Sequence, residues 1–278
     1  IGDCAGYGDS GSGGTNQNRN VFIGKYAGYH NRGDDNIAIG IRAGEKIQTA
    51  TCNIFLGPQA GRCASTGSNN FGAGYNVMNL ANLTGSNNIA IGHYTGRRIA
   101  TGQGNVFLGG GAGRYVLGGC CNVAIGINAH YCLSGGNCNV AIGVAAGTKQ
   151  TSSDQNVSIG HLAGSQNCTG SGNVAIGHSA GYGIRGANNV SIGATAGPAD
   201  SCTDTYDNVF IGSRTGTAYT SGCNIIAIGI NAGASSCCAA TGCNNIHIGQ
   251  NTGCKVQSGD NNITIGCRAG RNLTTGRC

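Results

Sequence analysis

Asn173-Val174-Ala175-Ile176-Gly177-His178-Ser179-Ala180-Gly181 is one copy of a unit that recurs along the chain: Asn, Val or Ile, a small residue or Phe, Ile or Leu, Gly, two variable residues, Ala or Thr, Gly, then about eight polar residues. The first glycine of the unit falls at Gly2, Gly24, Gly40, Gly57, Gly92, Gly109, Gly126, Gly143, Gly160, Gly177, Gly193, Gly212, Gly229, Gly249 and Gly266, with a degenerate copy at Gly74, at a mean interval of about 17 residues. Self-similarity at a short fixed period is the signature of a solenoid, in which each repeat buries its apolar residues only against its neighbours.

Alternation within the unit predicts a short strand with Val174 and Ile176 facing inward. Ala180, three residues beyond the glycine, closes the other side of a narrow coil; from Gly24 onward eleven of fifteen units have Ala there and three have Thr. The glycines permit positive φ and close backbone approach at the corners. The expected fold is therefore all-β: a parallel β-solenoid, or β-roll, of about 16 coils of about 17 residues, forming a single domain over 1–278 around a narrow Val/Ile/Ala core. Gly8 to Asn20 reads as an insertion, and Gly72 to Met78 as a worn copy expected to kink or loosen the stack.

Four residues before the glycine stands an asparagine in fourteen of fifteen units: Asn20, Asn36, Asn53, Asn70, Asn88, Asn105, Asn122, Asn139, Asn156, Asn173, Asn189, Asn208, Asn245 and Asn262, with Ile225 the exception. Stacked about 4.8 Å apart, these amides are expected to hydrogen-bond in a ladder along the axis. A turn preference alone would also admit Asp, Ser or Gly.

Composition agrees. Fifty-four glycines, no tryptophan, two prolines, 5% aromatic and 9% charged residues do not describe a globular enzyme with one thick core. The net charge of +6 is spread too thinly for a nucleic-acid footprint. The apolar runs are too short for a membrane-spanning helix. The chain opens on Ile1-Gly2 without a signal-peptide pattern and stops at Cys278 where a further unit is due, which leads us to expect a piece of a longer chain, or end-to-end polymerisation.

Asn-Val-Ala-Ile-Gly-x-x-Ala, at Asn122, Asn139 and Asn173, resembles the head repeats of YadA-like trimeric autotransporter adhesins. Asn-x-Phe-Ile-Gly-x-x-Ala-Gly, at Asn20 and Asn208, is similar to repeats of phage and algal-virus fibre proteins. The resemblance implies parallel β-rolls, often three chains side by side, in surface adhesins and fibres. This chain departs from it in the length of its repeat, longer than in those adhesin heads, and in its cysteines.

The residue between the two apolar strand positions is Ala or Phe in ten of fifteen units, including Phe22, Phe55, Phe107 and Phe210. If it faces outward the strand is apolar on both faces, so these phenylalanines are the expected self-association face.

Sixteen cysteines point to disulfides and an extracellular, cell-surface or virion-surface setting. Cys121 and Cys138 share one place in consecutive coils, as do Cys223 and Cys243, so each pair is a candidate staple. Cys237 or Cys238 with Cys254, and Cys120 with Cys132, are further candidates.

Other motifs dissolve into the repeat. Gly177-His178-Ser179-Ala180-Gly181 matches a nucleophile elbow but occupies repeat positions. Arg32-Gly33-Asp34 is an RGD tripeptide in an expected exposed loop, and His161 and His178 form a two-residue cluster short of a metal site. No catalytic, cofactor or metal residue is assigned. The expectation is a non-enzymatic structural subunit of an extracellular fibre or filament, partnered by itself. The alternatives are an adhesin or viral or phage fibre binding a receptor or glycan through its loops, and an ice-binding protein, which would need an outward Thr array.

Overall fold

The computed structural model describes residues 1–7, 19–80, 82–167, 169–198, 204–234, 240–255 and 257–275. They group into two compact units, Ile1–Cys138 and Asn139–Cys278, each a parallel β-solenoid. The first holds β1 (Val21–Ile23), β2 (Ile37–Ile39), β3 (Ile54–Leu56), β4 (Phe71–Ala73), β5 (Ile89–Ile91), β6 (Val106–Leu108) and β7 (Val123–Ile125). The second holds β8 (Val140–Ile142), β9 (Val157–Ile159), β10 (Val174–Ile176), β11 (Val190–Ile192), β12 (Val209–Ile211), β13 (Ile226–Ile228), β14 (Ile246–Ile248) and β15 (Ile263–Ile265). No helix occurs among the described residues.

Within each unit every strand pairs in parallel with the next and in strict repeat register, so that Val21 meets Ile37 and Val174 meets Val190. The copy at Gly2 lies against β1 through a bond from Gly24 N to Ile1 O (2.8 Å) without forming a strand of its own. The seemingly worn copy keeps the register, with Phe71 on Ile54 and Gly72 on Phe55. Its substitutions compensate one another. A Cβ on Gly72 would lie 3.1 Å from the Phe55 ring and 3.2 Å from Val77, so those two side chains fill the space that Gly72 leaves, and Met78 is buried.

Which side faces in is the reverse of the alternation argument. The middle residue of the strand is buried (Ala38, Phe55, Ala90, Phe107, Ala124, Phe210 and Ala227 are all at 0–1% exposure), while the flanking Val and Ile are half-buried or exposed. A three-residue strand points one side chain one way and two the other. The coil is so thin that it accepts only the single one.

The rest of the core comes from the Ala three beyond the glycine and from a position seven beyond it, within the stretch read as polar. Ile47, Ile99, Val116, Leu133, Ile184 and Tyr219 occupy that place and are buried. In several coils the middle residue and this one trade volume. Ala38, Ala90, Ala124 and Ala175 accompany Ile47, Ile99, Leu133 and Ile184, whereas Phe55 accompanies Ala64. The trade is not general, since Phe210 accompanies Tyr219 and Phe107 accompanies Val116, all four buried.

The second glycine of each unit makes room for the middle residue. A Cβ on Gly28 would stand 2.5 Å from the Phe22 ring, and one on Gly113 would stand 2.6 Å from Phe107. The first glycine serves the stacking instead. At Gly160, φ is +130° and a Cβ would meet the carbonyl oxygen of Gly177 in the next coil at 2.5 Å, so only glycine fits.

The asparagine ladder is present, and in many coils its rung is bonded in three directions. Asn105 Nδ2 donates to Asn88 Oδ1 (2.9 Å) and to Gly119 O (2.8 Å), while its Oδ1 accepts from Asn122 N (2.9 Å) and Asn122 Nδ2 (3.1 Å). The same pattern runs from Asn156 Nδ2 to Asn139 Oδ1 and Gly170 O, and onward through Asn189 and Asn208. The rung donates twice and accepts at the same time, which a side-chain amide can do; an Asp carboxylate has no proton to donate, a Ser hydroxyl has only one, and Gly has no side chain. Ile225 N still donates to Asn208 Oδ1 (2.8 Å), but its side chain joins a cluster with Phe210, Tyr219 and Ala227, exchanging a rung for apolar packing. Asn105→Leu strands buried partners on both sides, and should cost about 3–5 kcal/mol at one to three per unsatisfied group. A urea midpoint close to that of the parent chain would show that the ladder is not what holds the coils.

One core place is polar. His247, at the middle position of β14, is buried, with Nδ1 2.7 Å from Thr264 Oγ1 and Nε2 3.1 Å from Tyr219 Oη. Burial pushes its pKa down from 6.5 to about 4 and raises that of the Tyr219 hydroxyl. The folded state holds the neutral ring, so the stabilisation is complete above pH 6.5 and is lost as pH falls from there towards 4. About 3 kcal/mol is at stake over that window. His247→Phe should flatten the fall in melting temperature between pH 7 and pH 4.5 relative to the parent; parallel curves would refute the assignment.

Candidate interaction surface

With the middle residue inside, the two apolar flanks of every strand form paired columns on the outer sheet face. In the first unit these include Val21, Ile23, Ile39, Ile89, Ile91 and Ile125, and in the second Ile142, Ile226, Ile248, Ile263 and Ile265, all exposed. Ile41 and Ile127 in one unit, and Val144 and Ile230 in the other, continue the apolar surface one residue beyond the glycine, each at least 45% exposed. Sequence reasoning found the strand residues and assigned them to the core.

Phe22, Phe55, Phe107 and Phe210 are therefore not an outer face. Phe55, Phe107 and Phe210 are fully buried and Phe22 is partly so, because the middle position points into the coil. The outward places hold Val, Ile and Leu with Phe71 and Ala73, and no Thr array.

The cysteines divide by slot. Six residues before the glycine, side chains run along the stack: Ser68 Oγ accepts from Thr51 N (3.0 Å), Asn137 Oδ1 from Cys120 N (2.9 Å) and Asp260 Oδ1 from Cys243 N (2.9 Å). Cys243 in this slot reaches Cys223, and the two form a disulfide with Cα atoms 4.8 Å apart. Cys121 and Cys138 sit one residue later, where φ is +58° and +56°, and are exposed free thiols, not the expected staple. That slot is bridged by longer side chains, as in the Arg19–Asp35 ion pair (2.6 Å) and the bond from Asn224 Nδ2 to Asn244 Oδ1 (3.1 Å). The expected Cys120–Cys132 pairing is also not made, since Cys120 keeps its thiol, directed at Gly118 O (3.6 Å). Cys237 and Cys238 lie outside the described residues, and Cys254 donates its thiol to Asn231 O (3.3 Å). Burial raises the Cys254 pKa, partly offset by Arg271. Brief maleimide treatment of native protein should label Cys121 and Cys138 and spare Cys223 and Cys243 until reductant is added. Equal labelling of all four would contradict this division.

In Arg32-Gly33-Asp34 the arginine is exposed, as expected, and Asp34 is half-buried. Gly33 is buried and its carbonyl accepts from Asn20 Nδ2 (2.9 Å) and Asn31 Nδ2 (2.8 Å), so the tripeptide is part of the coil wall. The His161 and His178 rings stack at 5.2 Å, and no group of three metal-ligating side chains occurs among the described residues. Ser179 occupies a corner with φ +51°, and a turn follows it rather than a helix. No described helix is long and apolar enough to cross a membrane.

No protein-family model, curated protein or solved structure matches this chain, so what is established is its fold: an all-β parallel solenoid with a repeat of about 17 residues and a buried asparagine ladder.

Proposed function

We propose that the chain is a self-associating structural subunit of an extracellular fibre or filament, and that its outer Val/Ile face packs against the same face of a second copy. The supporting observation is the pair of exposed apolar columns, repeated coil after coil in each unit. An apolar sheet face of this extent is characteristic of a surface covered in use. The partner that matches its axial repeat is another chain with the same repeat, and an identical copy meets that condition. The Cys223–Cys243 disulfide suits an oxidising setting, and the likeness of the Asn-Val-Ala-Ile-Gly units to adhesin-head and fibre repeats points the same way.

Sedimentation of the parent chain should show species larger than a monomer. Ile91→Lys with Ile125→Lys, placing two charges on the face of the first unit, should shift them to monomer with unchanged circular dichroism, whereas Lys149→Glu, away from the strands, should not. A parent chain that stays monomeric up to about 100 μM, well above the micromolar range of weak specific contacts, refutes the proposal.

A further inference from the structure

The outer corner of the first unit carries a cluster of rings and guanidinium groups that the assembly reading does not use. One residue beyond the glycine, Tyr75 and His93 stack in consecutive coils with centroids 5.4 Å apart and planes 15° from parallel. The next coil places Gly110 there, and the one after it Ile127. The ring stack therefore ends at His93, and one coil without a side chain separates it from Ile127. A Cβ at Gly110 would meet only His93 O at 3.9 Å, so the gap is open space. With coils about 4.8 Å apart, His93 and Ile127 are separated by roughly 10 Å along the axis, enough for one ring between them.

The resulting notch has a volume of about 480 Å³ and is walled by His93, Tyr94, Arg114, Ile127 and Asn128. Arg114 lies over Tyr94 (4.8 Å to the centroid), Tyr115 (5.4 Å) and Tyr131 (5.7 Å), and Arg97 over Tyr94 at 4.7 Å. Nε of Arg97 and Nε of Arg114 are buried with no hydrogen-bond partner among the described residues. The charge in this part of the unit has one sign. Between Glu45 and the end of the first unit at Cys138 the sequence contains no Asp or Glu, but it contains Lys46, Arg62, Arg97, Arg98 and Arg114.

We infer that this notch binds an acidic saccharide, one sugar ring entering the gap above His93 while its carboxylate or sulfate pairs with Arg114. One wall is aromatic and the other aliphatic, which suits the C–H faces of a pyranose; a nucleobase would favour rings on both sides. Asn128 supplies an amide for a hydroxyl, and Arg114 supplies fork-shaped donors for a planar or tetrahedral anion.

The test is calorimetric titration of the full chain with a heparin-derived tetrasaccharide, with maltotetraose and inorganic sulfate as comparisons. The tetrasaccharide should bind and the other two should not. Arg114→Gln should weaken binding about tenfold or more, the range of one charge-assisted contact. Gly110→Tyr, at a position with ordinary φ and free space, should extend the ring stack, leave the melting temperature unchanged and abolish binding by filling the gap. Lys149→Gln should have no effect. Equal weakening by Lys149→Gln and Arg114→Gln, retained binding in folded Gly110→Tyr, or equal affinity for sulfate alone would each overturn the inference in favour of diffuse charge attraction.

Discussion

Everything in this protein answers to the axial spacing that parallel hydrogen bonding imposes, about 4.8 Å from one coil to the next. Each coil donates and accepts along the axis through its strand, its corners and its asparagine, as in the bonds from Val174 N to Asn189 O and from Asn173 N to Asn156 Oδ1 (both 2.8 Å). A side chain lying between coils must be absent, or must itself continue the hydrogen bonding. Glycine satisfies the first condition at Gly160, and asparagine satisfies the second at Asn105. Coils so closely spaced and so thin leave a narrow interior, in which Ala38 is accompanied across the coil by Ile47 and Phe55 by Ala64.

This arrangement carries backbone strain that an ordinary sheet avoids. Besides glycines, residues such as Tyr26, Arg42, Ala145, Leu162 and Thr195 adopt φ between +52° and +58°. Left-handed conformations in residues with a Cβ cost on the order of a kilocalorie each, and they persist only where surrounding bonds over-determine them. Here they are over-determined by neighbours on both sides: Leu162 N bonds to Val144 O (3.0 Å), as Thr195 N bonds to His178 O (2.8 Å). Stability therefore resides in the interfaces between coils more than within any one coil, as in other repeat proteins.

The spacing also separates the two surfaces of interest. On the strands, repetition is faithful and gives continuous apolar columns suited to a partner with the same repeat. At the corners the residues vary from coil to coil, so chemistry there is local: a ring stack ending at His93, a disulfide at Cys223 and Cys243, an ion pair between Arg62 and Glu45 at 2.7 Å. A faithful face and a variable corner on one scaffold are set by different residues, so substitutions at one leave the other unchanged.

The sequence by itself determined the repeat, the parallel stacking and the asparagine ladder, because each depends only on which residues recur at which interval. It did not determine which strand face is buried. Val-Ala-Ile offers an apolar residue at all three places, so hydrophobicity does not distinguish inside from outside; the width of the coil does, and that width is set by corners closing in three dimensions. The same holds for Cys121 and Cys138, whose equal repeat position says nothing of where their side chains point, and for Ile47 and Leu133, core residues in a stretch that reads as polar. Periodicity names the neighbours along the axis; the path of the chain around it decides which side chains meet.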